Sequence, residues 1–175
     1  GQLSFASVGP GTIHHLNAEM FKSIFNLNVV HVPYKGTAPA LQDVVGGHVQ
    51  FMFADVPPAK GLILGGKVRA LGVTTLERVK AVPDVPPLAE VGIPGYNTAS
   101  WHSISTAAGV RKDIVDKLAG EIAEVMKEPE VLNILLEEGA VPQVSPPPQE
   151  FKKFVDSEIV RWGELVAKAG ILHSQ

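Results

Sequence analysis

A concentrated set of groups whose type and spacing suit chemistry lies in one stretch, SFASVGPGTIHHLNAEMF, residues 4 to 21. A short apolar strand ending at Ser7, a tight Val8-Gly9-Pro10-Gly11 turn and a helix beginning near Thr12 would direct the backbone N–H groups of Gly11, Thr12, Ile13 and His14 out of the helix N-terminus. Such a terminus binds anions. Glycines let a backbone approach a ligand closely, and the hydroxyls of Ser7 and Thr12 can add donors. The same residues also read as a plain strand-turn-helix junction in which Thr12 caps the helix. No Lys follows the last glycine, as a nucleotide P-loop requires, and the glycine spacing departs from a dinucleotide fingerprint. The histidines open two enzymatic alternatives. Ser7 with His14 is a possible nucleophile pair, although no acid at a recognisable spacing accompanies it. His15, Glu19 and Asp55 are possible metal ligands, but adjacent histidines on a helix diverge by about 100° and the second His of a metalloprotease H-E-x-x-H pattern is missing.

Three further stretches carry polar groups of interest. VVHVPYKGTAPAL, residues 29 to 41, places a strand before a Pro-Tyr-Lys-Gly turn and a second helix near Thr37. Tyr34 can hydrogen bond a ligand and Lys35 can neutralise an acid, while the amides from Gly36 to Ala38 repeat the anion-friendly geometry; a packed tyrosine and a solvated lysine are the alternative. FMFADVPPA, residues 51 to 59, delivers Asp55 at the C-terminal end of an apolar strand, where open α/β sheets place their ligands and where an acid can equally cap a helix. YNTASWHSIST, residues 96 to 106, carries Tyr96, Trp101 and His102 on an extended segment suited to a crossover between domains.

The elements that must position these groups alternate along the chain in an α/β pattern. Strands are expected at 3–7, 29–32, 49–54, 68–74 and 98–107, with helices at 12–25, 38–45 and 57–64. In the first helix Ile13, Leu16, Met20 and Ile24, continued by Leu27, recur three or four apart and define an expected buried face. Residues 77 to 96, with four prolines and two glycines, predict an irregular loop holding one helical turn at most, around 88–91. Helices follow at 112–127, 130–138 and 147–169, with a short extended piece at 140–144. The last helix repeats Phe151, Phe154, Val155, Ile159, Trp162, Leu165 and Val166 at helical spacing, and that face needs a partner surface.

At 175 residues and 45% hydrophobic content the chain can supply a core for one full domain or two small ones. A net charge of -3 and scattered cationic residues give no field for nucleic acid or anionic membrane. The absence of cysteine excludes thiolate catalysis, disulfides and thiolate metal sites. No apolar run approaches the roughly 20 residues of a membrane span, and residues 1 to 20 do not have the form of a signal peptide. Residues 100 to 175 offer three helical patterns with too little strand for a self-sufficient α/β domain, so part of the sheet is expected upstream of this sequence.

Taken in order, SFASVGPGTIHHLNAEMF, VVHVPYKGTAPALQDVVGGHVQFMFAD, GKVRALGVTTLERVKAVPDVPPLAEVGIPGY, Trp101 and the terminal FVDSEIVRWGELVAKAGI resemble the substrate-binding receptors of tripartite tricarboxylate transporters, the Bug or TctC family. The resemblance runs over essentially the whole chain. It implies a type II periplasmic binding protein, with two α/β lobes closing on a small organic carboxylate, no cofactor, and delivery of the ligand to membrane permease subunits. It also implies a periplasmic location and a C-terminal fragment: residues 1–98 as most of the second lobe, 99–175 as the crossover and the returning part of the first. In such a fragment the uncovered terminal helix is a possible dimer surface. By the same resemblance Ser7, Gly9, Gly11, Thr12 and the amides that follow, including that of Ile13, hold one carboxylate, with His15 orienting the loop. Tyr34, Gly36, Thr37 and Ala38 form the neighbouring edge of the cleft, and Asp55 accepts a hydrogen bond from ligand or water. The family turn commonly reads Gly-Asn-Gly-Ser, so Pro10 and Thr12 are departures; Pro10 removes an amide and Thr12 keeps a hydroxyl.

Overall fold

A computed structural model describes residues 3–143 and 146–168. Contacts divide the chain into two units, Gly1–Ala70 with Lys152–Gln175, and Leu71–Phe151.

The first unit is built on three parallel strands, β1 (Leu3–Ser7), β2 (Val29–Pro33) and β3 (Phe51–Met52), in the order β2-β1-β3. Helices α1 (Ile13–Phe25), α2 (Thr37–Val45) and α3 (Val56–Leu64) follow the three strands in turn. The chain steps from β1 outward to β2 and then back across β1 to β3. Right-handed crossovers therefore place α1 and α2 on opposite faces of the sheet. Side-chain alternation along β1 agrees: Phe5 packs with Ala18 of α1, Val29, Phe51 and Phe53, whereas Ala6 packs with Ala40 of α2, Val49 and Val32. Reversal of the winding direction between β1 and β3 makes the C-terminal end of these strands a topological switch point, the usual crevice of an open α/β sheet.

The expected strand at 49–54 shortens to two residues, while the other elements of this unit fall within a residue or two of expectation. The face that α1 buries is a different matter. His14, His15, Asn17 and Ala18 are buried, whereas the expected stripe is half-buried at Ile13, Leu16 and Met20 and exposed at Ile24 and Leu27. At about 100° per residue the 14/18/21 line sits a quarter-turn from the 13/20/24 line. Ala18 lets α1 approach the Phe5 ring closely, and Phe21 meets Phe51 and Phe53 edge-on. The small residue and the aromatic pairings, rather than the aliphatic stripe, set the helix rotation.

The second unit holds an irregular core of Val73, Val79, Val82, Val85, Leu88, Ile93 and Tyr96. The expected strand at 68–74 reduces to one parallel bridge between Val73 and Pro87, with Val73 N–H donating to Pro86 O and Leu88 N–H to Val73 O. The expected strand at 98–107 forms no strand among the described residues; at its start Thr98 N–H donates to Thr74 O. Extended backbone without a neighbour to complete its ladder is not sheet. A short turn does form at 88–91, closed by Val91 N–H on Leu88 O. Burial pushes the Tyr96 phenol up, against the opposing pull of its hydrogen bond with Thr98. Trp101 stands edge-on to Phe151 at 6.3 Å.

Helices α4 (Lys112–Val125) and α5 (Pro129–Glu137) lie in this unit and bury no residue fully. Helix α6 (Pro148–Lys168) contains the boundary between the units. Among its described side chains the most buried is an acid, Glu158, held by Arg161 Nη1 at 2.8 Å and Trp162 Nε1 at 3.1 Å, while Phe154 and Ile159 of the expected apolar face are exposed. Residues 140–143 form no strand; Val144, the last residue of that expected extended piece, and Ala169, the last of the expected helix, lie outside the described residues.

Candidate functional site

The turn after β1 is shaped by Pro10 and Gly11. Thr12 N–H reaches Gly9 O at 3.4 Å, and Gly11 has φ 75°, so Gly9-Pro10-Gly11-Thr12 is a type II turn with Pro and Gly at the two positions that demand them. The space around the missing Gly11 side chain is open, so its requirement comes from backbone conformation. Gly11→Ala is therefore expected to cost about 1–2 kcal/mol of stability in denaturant unfolding, through its left-handed φ alone; a loss below a few tenths would show that the turn relaxes to another type.

Side chains then fasten the turn from behind. Ser7, with no exposed surface, accepts from Gly9 N–H at 3.0 Å and shares a 2.6 Å hydrogen bond with His31 Nε2. Thr12 Oγ1 donates to Gly9 O at 2.7 Å and accepts from His15 N–H at 3.5 Å, the capping role anticipated for it. Gly11 N–H donates to Nδ1 of His15 at 3.2 Å. His15 therefore carries its proton on Nε2, which faces Glu19 at 3.7 Å, and Glu19 in turn holds Lys22 at 2.7 Å. The His15 and His31 rings stack at 4.2 Å. Burial depresses both imidazoles; for His15 the Glu19 carboxylate opposes this and Lys22 adds to it, and for His31 the neighbouring His15 adds to it.

This arrangement redistributes the four amides expected at the helix start. Gly11 N–H is taken by His15 and Thr12 N–H closes the turn, which leaves Ile13 and His14. First-turn amides have no carbonyl to pair with inside the helix, and the Thr12 cap passes over these two to reach His15. The dipole of α1, 13 residues long, adds positive potential there. Ser7 is placed as a support of the turn: its hydroxyl is buried and committed to Gly9 and His31.

Across the switch point, Asp55 stands at the N-cap of α3 and accepts from His14 Nε2 at 3.2 Å. His14 is 6% exposed, and its Nδ1 has no hydrogen-bond partner among the described residues. The start of α2 contributes Gly36 as N-cap without a side-chain cap, followed by the first-turn amides of Thr37 and Ala38. Tyr34 points elsewhere: its hydroxyl donates to Asp43 Oδ2 at 2.6 Å, and that bond, with some burial and the Asp43 charge, pushes the phenol up to about 12. Tyr34 N–H meanwhile ties β2 to Ser7 O at 2.8 Å.

The enzymatic alternatives find little geometry. The partner of Ser7 is His31, not His14, and Ser7 has no exposed surface. His15 meets Glu19, whereas Asp55 meets His14, and no group of three or more His, Asp or Glu able to hold a metal occurs among the described residues. His31 is the supporting residue that sequence reasoning passed over. The signal was its parity: parallel pairing sets His31 beside Phe5, and Phe5 shares a sheet face with Ser7 two residues on.

Residues 1–171 match the family described as tripartite tricarboxylate transporter family receptor, TctC. A protein of Pseudomonas sp. (strain P51), described as the UPF0065 protein in the tcbD-tcbE intergenic region, is 36% identical over 169 residues, covering 96% of this chain and 50% of that protein. Among solved structures, R. palustris Rpa4515 with adipate superposes with a TM-score of 0.88 at 35% identity, covering 97% of this chain and 56% of that one. The periplasmic binding protein BugD gives 0.84 at 32%, covering 97% and 57%. The chain thus spans about half the length of these relatives and shares their periplasmic-binding-protein fold. It belongs to the TctC receptor family.

Proposed function

We propose that this chain belongs to an extracytoplasmic solute receptor, which captures a small organic carboxylate at the start of α1 and presents it to a tripartite tricarboxylate-type membrane transporter. The observation that carries this reading is the pair of first-turn amides of Ile13 and His14, passed over by the cap and standing at the switch point of the sheet. Two adjacent N–H donors and a helix dipole match the two oxygens of a carboxylate, and hydrogen bonds to a charged acceptor are worth about 1.5–3 kcal/mol each. The adipate in the R. palustris relative supports a dicarboxylate. The amides of Thr37 and Ala38 form the neighbouring edge. Asp55, which accepts from His14 Nε2, also accepts from the ligand's hydroxyl groups or from bridging water. In this reading residues 1–98 are most of one ligand-binding lobe, 99–175 are the crossover and the returning part of the other, and the receptor works in the periplasm by binding alone.

Ile13→Pro is the direct test. Ile13 is the first helical residue, where proline is tolerated, and Thr12 has the extended conformation (φ -74°, ψ 159°) that a residue before proline prefers. The substitution removes one donor with little disturbance of the fold. Calorimetric titration with succinate, glutarate and adipate is expected to show affinity lowered about 10- to 100-fold for the acid that binds best. An unchanged affinity would place the carboxylate somewhere other than this helix start.

A further inference from the structure

Behind the turn, three rings form a nearly parallel cluster. Phe5 lies 4.8 Å from His31 at 15°, and His31 lies 4.2 Å from His15 at 21°. Each imidazole ends on a different part of the turn: His31 on the Ser7 hydroxyl that holds Gly9 N–H, and His15 on Gly11 N–H. We propose that His31 is a positioning residue for the anion-binding turn, holding Gly9 through Ser7 and bracing the His15 ring that holds Gly11. The inference rests on the carboxylate reading above for its functional meaning, but its geometry is independent of any ligand.

With the Gly9, Gly11 and Thr12 amides engaged within the turn, those of Ile13 and His14 are left at this helix start. Removing the nitrogen of His31 frees the Ser7 hydroxyl to rotate and loosens its hold on Gly9 N–H, at φ 120°, while Thr12 still holds Gly9 O. Removing the ring as well withdraws the surface on which His15 rests. Protonation acts on the same contacts. His15 can accept from Gly11 N–H only while its Nδ1 carries no proton, so the charged form sets donor against donor. The charged groups facing the pair are Glu19, 3.7 Å from His15 Nε2, and Lys22, which is bonded to Glu19 and lies 5.5 Å from the Phe5 ring centre; β1 and β3 present Phe5, Ser7 and Phe51. Burial depresses both imidazoles, so the neutral form of His15 that accepts from Gly11 is complete above the ordinary histidine value of 6.5 and is lost as pH falls through its lower folded-state value, while His31, charged below its own lowered value, can only donate to Ser7.

The test is amide NMR of the protein between pH 7.5 and 5, beside titration with succinate. In the parent protein the Gly9 and Gly11 resonances are expected to move together, with midpoints below 6.5. In His31→Phe, which keeps a ring in the stack, the Gly9 resonance is displaced at pH 7.5 and its pH response vanishes while that of Gly11 persists. Succinate affinity falls about tenfold in this variant, and His31→Gln, which restores a hydrogen-bonding atom near the Nε2 position, recovers part of it. Ser7→Ala leaves the rings in place and should reproduce the Gly9 displacement, which keeps the test decisive where the phenylalanine variant folds poorly. Parent-like Gly9 behaviour in His31→Phe or in Ser7→Ala overturns the positioning role. Displaced Gly9 in both variants, with no succinate, glutarate or adipate binding by the parent protein, supports the positioning of the turn and overturns the carboxylate reading instead.

Discussion

Replacing Phe5 by alanine is expected to lower the stability of the first unit by about 3–5 kcal/mol. Phe5 has no exposed surface and occupies the middle of the central strand, where its ring meets His31, Phe51 and Ala18. Truncation removes the transfer free energy of the ring and leaves a cavity flanked by β2 and β3, strands whose hydrogen-bonded register resists collapse. It also withdraws the surface behind the two histidines. Urea unfolding followed by exchange of the Ala6 and Val32 amides reads the loss directly, and Phe5→Leu should retain most of the stability. A loss under about 1 kcal/mol for the alanine variant would mean that the sheet closes over the gap.

Tyr96→Ala is expected to destabilise the second unit by a similar amount, about 3–5 kcal/mol. Tyr96 is 2% exposed, and with so little regular structure around it the loop from 71 to 98 depends on side-chain packing. Gly72 shows how tightly that packing is drawn, since a β-carbon there would fall 2.5 Å from Leu88 Cδ2. Tyr96→Phe keeps the ring and gives up the hydrogen bond with Thr98, a loss of about 1 kcal/mol. Exchange protection at Val73 and Leu88, whose amides make the only bridge of this loop among the described residues, reports the difference. Equal effects from the alanine and phenylalanine variants would shift the weight from packing to the hydroxyl.

These two residues also mark where the sequence is legible and where it is not. Around Phe5 the signals are local. Alternation along β1, the Pro-Gly turn, Thr12 as cap and the glycines at 46 and 65 place β1, β2 and α1 to α3 within about two residues of their ends. Around Tyr96 the chain takes its shape from contacts distant in sequence. The runs 68–74 and 98–107 have the composition of strands, but strands exist by pairing, and composition does not reveal that one bridge is all they find. The candidate site divides in the same way. The turn and its cap were visible in the glycines and Thr12. The allotment of its amides was not, because it depends on His15 reaching back four residues and on His31 arriving from the next strand. Tyr34 looked available for a ligand because Asp43, its actual partner, lies nine residues on in the following helix.

The Pro10-Gly11 turn has one more consequence. A proline with its φ already fixed and a glycine already in the left-handed region have little conformational freedom left to surrender. A ligand that meets such a turn does not have to order it, so association is set by encounter and desolvation rather than by waiting for a loop to settle. The same stiffness limits tolerance. Under the proposed carboxylate function, a rigid pair of donors would accept a carboxylate of one bite and orientation, so that the turn reads the functional group and the rest of the ligand is sorted by other surfaces.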